Sequence, residues 1–231
     1  MKKNIVPKTL GIILDGNGRW AEKNGLHRIE GHTAGIVNLV KITDEAFDLG
    51  VETVVLYGLS TENLFRERVE VEHIYKLVIE AFDLFVKTFS KRRACVRYIG
   101  NTSRIPDPVL KSMKRAEEAL KPFENCGRTI YIGIAYGSRH EIVSAINSLV
   151  ERGMKTTEQD FLSELSAPVE PELIIRTGGE KRLSNFMLYQ CSYSELYFSN
   201  KLFPEFDRSD LEKAFRWFSR RERRYGLIKK K

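Results

Sequence analysis

Nothing in this 231-residue sequence approaches the run of about 18 consecutive apolar residues that a bilayer-spanning helix requires. The N-terminus, Met1-Lys2-Lys3-Asn4 followed by Ile5-Val6-Pro7, lacks the long apolar segment and cleavage site of a signal peptide, so a cytoplasmic protein is expected. Cysteine is scarce: Cys95, Cys126 and Cys191 are an odd number without metal-type spacing and read as reduced thiols. There is no Walker loop, internal repeat, low-complexity segment or linker, so residues 1–231 read as one domain with a basic tail from about residue 227. Positive charge is what the chain has in excess. Its formal charge is +7, with Arg220, Arg221, Arg223, Arg224, Lys229, Lys230 and Lys231 crowded at the C-terminus. Such an excess suits nucleic acid, an acidic membrane surface or a phosphorylated substrate, although the terminal lysines read equally well as a solvated tail.

Short β-rich runs alternate with helix-period segments. The strands expected are Leu10–Leu14, Thr53–Leu59, Cys95–Ile99, Thr129–Ala135, Leu173–Arg176 and Glu195–Phe198, several of them continuously apolar, as strands covered on both faces should be. Helices are expected over Thr33–Leu49 and Val69–Phe89, and a third opens at Pro106-Asp107. Ser138 with Glu141, and Ser209 with Glu212, have capping-box spacing. The order predicts an α/β fold: a single domain with a mostly parallel six-stranded sheet flanked by helices. Ligands of such sheets bind beyond the carboxyl ends of the strands, and the polar clusters fall there.

The first cluster is Asp15-Gly16-Asn17-Gly18-Arg19-Trp20: glycines for a tight turn, a hard oxygen ligand in Asp15 and a forked phosphate donor in Arg19. An ordinary Asp-Gly turn is the plainer alternative. The loose dinucleotide fingerprint Gly16-x-Gly18-x-x-Ala21 is set aside, because no acidic residue ends a second strand about twenty residues on. Arg28 and His32 share a face if their segment is helical, which also describes many surface pairs. Ser60-Thr61-Glu62-Asn63, with Arg66 after it, is either a polar site or a helix N-cap. Arg176-Thr177-Gly178-Gly179-Glu180 and Arg182-Leu183-Ser184-Asn185-Phe186 offer two guanidinium groups, a hydroxyl and loop N–H groups, the requirements of a diphosphate clamp; the alternative is a solvated loop. Glu195 opens the apolar run Leu196-Tyr197-Phe198.

Taken in series, these motifs resemble the cis-prenyltransferase family, most like bacterial undecaprenyl diphosphate synthases, from about Leu10 to Gly226. No Asp-Asp pair of the trans-prenyltransferase kind occurs. The resemblance implies a Mg²⁺-dependent condensation of isopentenyl diphosphate with an allylic diphosphate, farnesyl diphosphate being the primer expected. It implies that Asp15 and Glu195 bind Mg²⁺, and that Gly16, Asn17, Gly18, Arg19, Arg28 and His32 hold the allylic diphosphate. Ser60, Thr61, Glu62 and Asn63 would position isopentenyl diphosphate and its departing proton, with Asn63 as a catalytic orienting or relay group. Arg176, Arg182, Leu183 and Ser184 would grip isopentenyl diphosphate, and Trp20, Leu64 and Arg66 would make further substrate contacts. Helix Val69–Phe89 would line an apolar product tunnel. Arg224-Tyr225-Gly226 would reach across a homodimer into the partner's site. Peripheral membrane contact through product and basic tail is a further expectation; nucleic-acid binding is not.

The departures from the family pattern are Glu62-Asn63-Leu64 for Glu-Asn-Trp, Arg66-Glu67 for Arg-Pro, Gly58-Leu59-Ser60 for Ala-Phe-Ser, and Ala135-Tyr136-Gly137-Ser138-Arg139 for Asn-Tyr-Gly-Gly-Arg. The segment between Ser148 and Pro171 is also short. None removes a charged catalytic group, and all bear on product length and primer. Two other classes fit less well: a non-catalytic subunit of a heterodimeric prenyltransferase, which would lose the Asp15 loop kept here, and a basic nucleotide- or nucleic-acid-binding protein, for which no motif is present.

Overall fold

The computed structural model describes residues 5–224. Six strands, β1 Thr9–Ile13, β2 Thr53–Ser60, β3 Cys95–Ile99, β4 Thr129–Tyr136, β5 Leu173–Arg176 and β6 Glu195–Phe198, form one parallel sheet in the order β3-β4-β2-β1-β5-β6. The expected strands are all present, with ends moved by a residue or so. Alternation within the strands sorts side chains between two cores. Leu10, Ile12, Val54 and Leu56 face the larger one, with helices α2 Arg28–Asp48, α3 Arg68–Phe89, α4 Asp107–Leu120 and α7 Arg208–Phe218. Ile13, Val55, Tyr57 and Ile174 face a smaller one with Tyr136, Phe186 and Met187. The central strands, buried on both faces, need no polar alternate positions, whereas edge strand β3 keeps an exposed Arg97 and edge strand β6 is only partly buried.

Helix starts differ from expectation. The second helix begins at Arg28 rather than Thr33, with the His27 N–H donating to Glu30 Oε2 at 2.9 Å. Residues read as a phosphate loop form a short helix, α1 Asn17–Lys23, entered through Gly16 at φ 108. Ser138 and Glu141 do not cap α5 Ser138–Glu151; Gly137 is its N-cap, and Glu141 instead accepts from Tyr136 Oη at 2.6 Å and Gln190 Nε2 at 3.1 Å. Nor do Ser209 and Glu212 cap α7, because Asp207 and Asp210, two residues earlier, form the capping box. A further short helix, α6 Glu158–Glu164, was not expected.

The chain runs from β1 to β2 on one side, and β5 returns on the other, so connections diverge between β1 and β5. That is where an open α/β sheet leaves a crevice at its carboxyl edge.

Candidate active site

The crevice joins the ends of β1 and β5 directly. Arg176, the last residue of β5, is 4 % exposed, and its Nη2 donates to Asp15 Oδ2 at 2.8 Å. Arg19 Nη2 takes the other oxygen, Oδ1, at 3.0 Å, and its Nη1 donates to the Gly178 carbonyl at 2.7 Å. Thr177 Oγ1 accepts the Asp15 N–H at 3.0 Å and donates to its carbonyl at 2.7 Å, fixing the turn. Gly178 at φ 81 passes so close to Asp15 that a Cβ there would meet the Asp15 carbonyl at 3.0 Å. A near-buried guanidinium needs a counter-charge, and Asp15 provides it.

Arg176 also donates through Nη1 to the Arg182 carbonyl and, at 2.9 Å, to Ser184 Oγ. Ser184, Asn185 and Met187 have φ of 50, 66 and 45, a cluster of left-handed non-glycine residues of the kind that needs support from surrounding bonds. Tyr57 Oη supplies one, donating to the Ser184 carbonyl at 2.9 Å, and Asn185 Nδ2 supplies another, donating to Glu62 Oε1 at 3.1 Å. At the end of β2, Ser60 and Asn63 are reciprocal: the Ser60 N–H donates to Asn63 Oδ1, and the Asn63 N–H to Ser60 Oγ, both at 3.2 Å.

These groups surround a cavity of about 590 Å³ lined by Asp15, Asn17, His32, Ser60, Glu62, Asn63, Arg66, Arg176, Arg182 and Ser184 of the expected residues. Tyr57, Asn185 and Arg139 also line it and were not foreseen. Gly16, Gly18, Arg19, Trp20, Arg28, Thr61, Leu64 and Leu183 do not line it. Arg28 lies against Gly18, where a Cβ would come within 2.8 Å of its guanidinium, and pairs with Glu22 at 2.5 Å.

A carboxylate from α3 sits beside the cavity. Glu70 accepts from Arg66 at 2.9 Å and from His32 Nε2 at 3.2 Å, with Arg28 at 4.0 Å. Burial pushes His32 below the ordinary imidazole value, outweighing the opposing pull of Glu70. Partial burial disfavours the Glu70 charge, yet Arg66 and His32 hold its carboxyl below the usual range.

A second cavity of about 70 Å³ shares Leu14, Asn17, His32, Gly58 and Ile74 with the first. It continues between α2 and α3 past Leu77, Val78 and Ala81 to Phe82 and Phe85. The register shift between β2 and β4 around Gly58 lets both cavities reach the backbone there.

Two expected residues lie away from this cavity within the single chain. Glu195 pairs with Leu173 at the start of β5, whereas Asp15 follows Ile13, the partner of Arg176 at its end. About 10 Å of strand therefore separates their levels in the sheet. Arg221 Nε occupies Glu195 Oε2 at 2.9 Å, and one chain cannot bring Glu195 and Asp15 to one cation. Arg224 pairs with Glu222 at 2.6 Å and does not line its own chain's cavity, which leaves the expected reach into a partner's site untouched. Gly226 lies outside the described residues. No group of three acidic, histidine or cysteine side chains suited to a metal occurs among the described residues. Asp15 alone still fits Mg²⁺, which takes one or two carboxylates and completes its shell with phosphate oxygens and water.

The family model described as "Putative undecaprenyl diphosphate synthase" matches residues 13–226. An isoprenyl transferase of Thermotoga maritima is 39% identical over 228 residues, covering 96% of this chain and 97% of that protein. The ditrans,polycis-undecaprenyl-diphosphate synthase ((2E,6E)-farnesyl-diphosphate specific) of Micrococcus luteus is 38% identical, covering 96% of this chain and 92% of its own. The crystal structure of lavandulyl diphosphate synthase from Lavandula x intermedia in complex with dimethylallyl diphosphate superposes with a TM-score of 0.91 at 32% identity, covering 97% of this chain and 100% of that one. With its motifs in order along nearly the whole length, this chain belongs to the cis-prenyltransferase, or isoprenyl transferase, family of prenyl-transferring enzymes.

Proposed function

We propose that the chain is a Mg²⁺-dependent homodimer that extends farnesyl diphosphate with isopentenyl diphosphate to a medium-to-long poly-cis polyprenyl diphosphate, nearest to undecaprenyl diphosphate. The observation carrying this reading is the junction of a cation-rich cavity with an apolar one at Leu14, Asn17, His32, Gly58 and Ile74. An amphiphile with a diphosphate head and an isoprenoid tail fits that junction and little else in the chain.

Asp15 would hold Mg²⁺ together with diphosphate oxygens, and the metal would supply charge stabilisation for the leaving diphosphate. Arg19 and Arg176, now on Asp15, are placed to turn their donors onto phosphate. His32 would hold the allylic diphosphate in the cavity, with Arg28 behind it. Arg182 and Ser184, braced by Arg176, would hold isopentenyl diphosphate. The Asn63 amide accepts from the Ser60 N–H, so its role is to orient the substrate rather than to act as a base. The water-poor apolar wall protects the allylic centre while the new bond forms.

The names of the relatives span undecaprenyl and lavandulyl products, so membership alone leaves length open. The small Gly58 and Ala81 on the apolar wall favour the longer product. A homodimer is favoured by the exposed stripe Val143, Ile146 and Val150 on α5 and by Tyr193 and Leu196 at the outer strand β6. Peripheral membrane contact would follow from the product and the +7 charge. No helix among the described residues is long and apolar enough to cross a membrane.

The test is incubation with labelled isopentenyl diphosphate, Mg²⁺ and a panel of allylic primers, with product sizing. Mg²⁺-dependent condensation favouring farnesyl diphosphate is expected; no incorporation with any primer would refute the reading.

A further inference from the structure

Four arginines line the larger cavity: Arg66, Arg139, Arg176 and Arg182. Three are matched by carboxylates, Arg66 by Glu70 at 2.9 Å, Arg176 by Asp15 at 2.8 Å and Arg182 by Glu180 at 2.5 Å. The Arg139 guanidinium has neither an acidic nor a hydrogen-bonding partner among the described residues; only its backbone N–H is bonded.

That backbone is held from two sides. The Arg139 N–H donates to Asn185 Oδ1 at 2.9 Å and the Ser138 N–H to the Asn185 carbonyl at 2.8 Å, tying it to the Arg182–Asn185 loop. The Thr61 N–H donates to the Tyr136 carbonyl at 3.0 Å, tying the same segment to the Ser60–Asn63 turn. Gly137 fits between them so closely that a Cβ would meet Asn185 Nδ2 at 2.6 Å and Thr61 Oγ1 at 2.7 Å. A fixed backbone thus presents an unmatched forked cation between two loops. The position is also unfavourable for a cation without an anion beside it, since Arg139 stands in the first turn of the 14-residue α5, at the positive end of its dipole.

The geometry points to Arg139 as a further ligand of isopentenyl diphosphate, meeting its phosphates from the side opposite Arg182. The assignment rests on the function proposed above, which places isopentenyl diphosphate between these loops. Arg176 must give up bonds to Asp15 or the Arg182–Ser184 loop to reach a phosphate, whereas the Arg139 guanidinium can do so without breaking any.

The experiment uses the full chain with Arg139→Ala, Arg139→Gln and Arg139→Lys. Binding of isopentenyl diphosphate is measured by calorimetry without primer, then KM for each substrate and kcat in turnover. Arg139→Ala and Arg139→Gln should both weaken isopentenyl diphosphate binding roughly ten- to a hundredfold, with KM for the primer unchanged. Arg139→Lys should recover part of the loss as a point charge. Gln keeps the polar stem, so matching losses in Ala and Gln assign the effect to the charge rather than to folding. Unchanged isopentenyl diphosphate affinity in either variant, or a change confined to the primer, would overturn the assignment. Failure of the wild type itself to turn over isopentenyl diphosphate would instead overturn the function it rests on.

Discussion

At Asp15 one carboxylate serves two arginines, which is what makes it sensitive. Asp15→Ala leaves the almost fully buried Arg176 without its counter-charge and deletes the carboxylate proposed to hold Mg²⁺ at the end of β1. Asp15→Asn keeps the shape and one acceptor but not the charge. Both should lower turnover by about three orders of magnitude or more while the chain stays folded, and Mg²⁺ chelation should do the same to the wild type. Steady-state rates with circular dichroism as a folding check decide this; a near-normal Asp15→Asn rate would remove Asp15 from the metal. His32 offers a test of a different kind. Burial keeps it below its ordinary value, so it is neutral near pH 7, and a diphosphate bound against it would raise that value. The complex then carries more protons than the free protein, so primer binding should take up a proton and strengthen as pH falls from about 8 toward about 6. The ligand's own protonation works the other way, and His32→Ala isolates the difference. Calorimetry in buffers of different ionisation enthalpy measures the uptake; equal uptake by wild type and His32→Ala would separate His32 from the diphosphate.

At the scale of elements, strands were legible because parallel strands buried on both faces read as unbroken apolar runs. Caps were not: Ser138–Glu141 has the right spacing, but Glu141 is drawn into buried bonds with Tyr136 and Gln190. The site residues at the ends of β1, β2 and β5 could be assembled because a parallel sheet sends all carboxyl ends one way. Glu195, which opens its strand, lies at the opposite edge of its own chain's sheet for the same reason. Asn185 and Arg139 stand in motifs of the sequence without a role of their own, and Tyr57 looks like an ordinary strand tyrosine; bonds between Tyr57 and Ser184, and between Asn185 and both Arg139 and Glu62, bring all three to one cavity. Helix α3 puts Ile74, Leu77, Val78, Ala81, Phe82 and Phe85 on the apolar cavity. Phe82 and Phe85 line the cavity and are backed by further rings, Phe82 meeting Tyr98 edge-on at 4.8 Å and Phe85 leaning on Phe89 at 5.0 Å. Each isoprene unit gains roughly 0.8 kcal/mol per buried CH₂ equivalent until such a wall is met. Phe85→Ala should therefore lengthen the products, and Gly58→Leu, near the junction, should shorten them without abolishing condensation. Chromatographic sizing of labelled products checks both, and unchanged distributions would move the length-setting wall elsewhere.

For the whole molecule, the question is where the C-terminal arginines act. Arg221 and Arg223 are tied to Glu195 and Glu172 at 2.9 Å each, at the amino edge of β5 and β6, while Asp15 stands beyond the carboxyl edge. The ion pairs thus anchor the tail on the side of the sheet away from its own site, and Arg224 follows directly. A second copy docked through the exposed α5 stripe and the β6 edge could bring one chain's tail to the other chain's cavity. Such an exchange makes each site a composite of two chains, and complementation reads this directly. Asp15→Ala and Arg224→Ala should each be nearly inactive alone. Mixed after subunit exchange, half of the dimers carry one chain of each kind. In those, the site with intact Asp15 receives the intact Arg224 of the other chain, so activity should return to about a quarter of wild type. If the tail served its own chain, every site in the mixture would lack one residue or the other, and no activity would return. Light scattering on the same samples verifies that dimers are present, and recovery without them would also defeat the two-chain site.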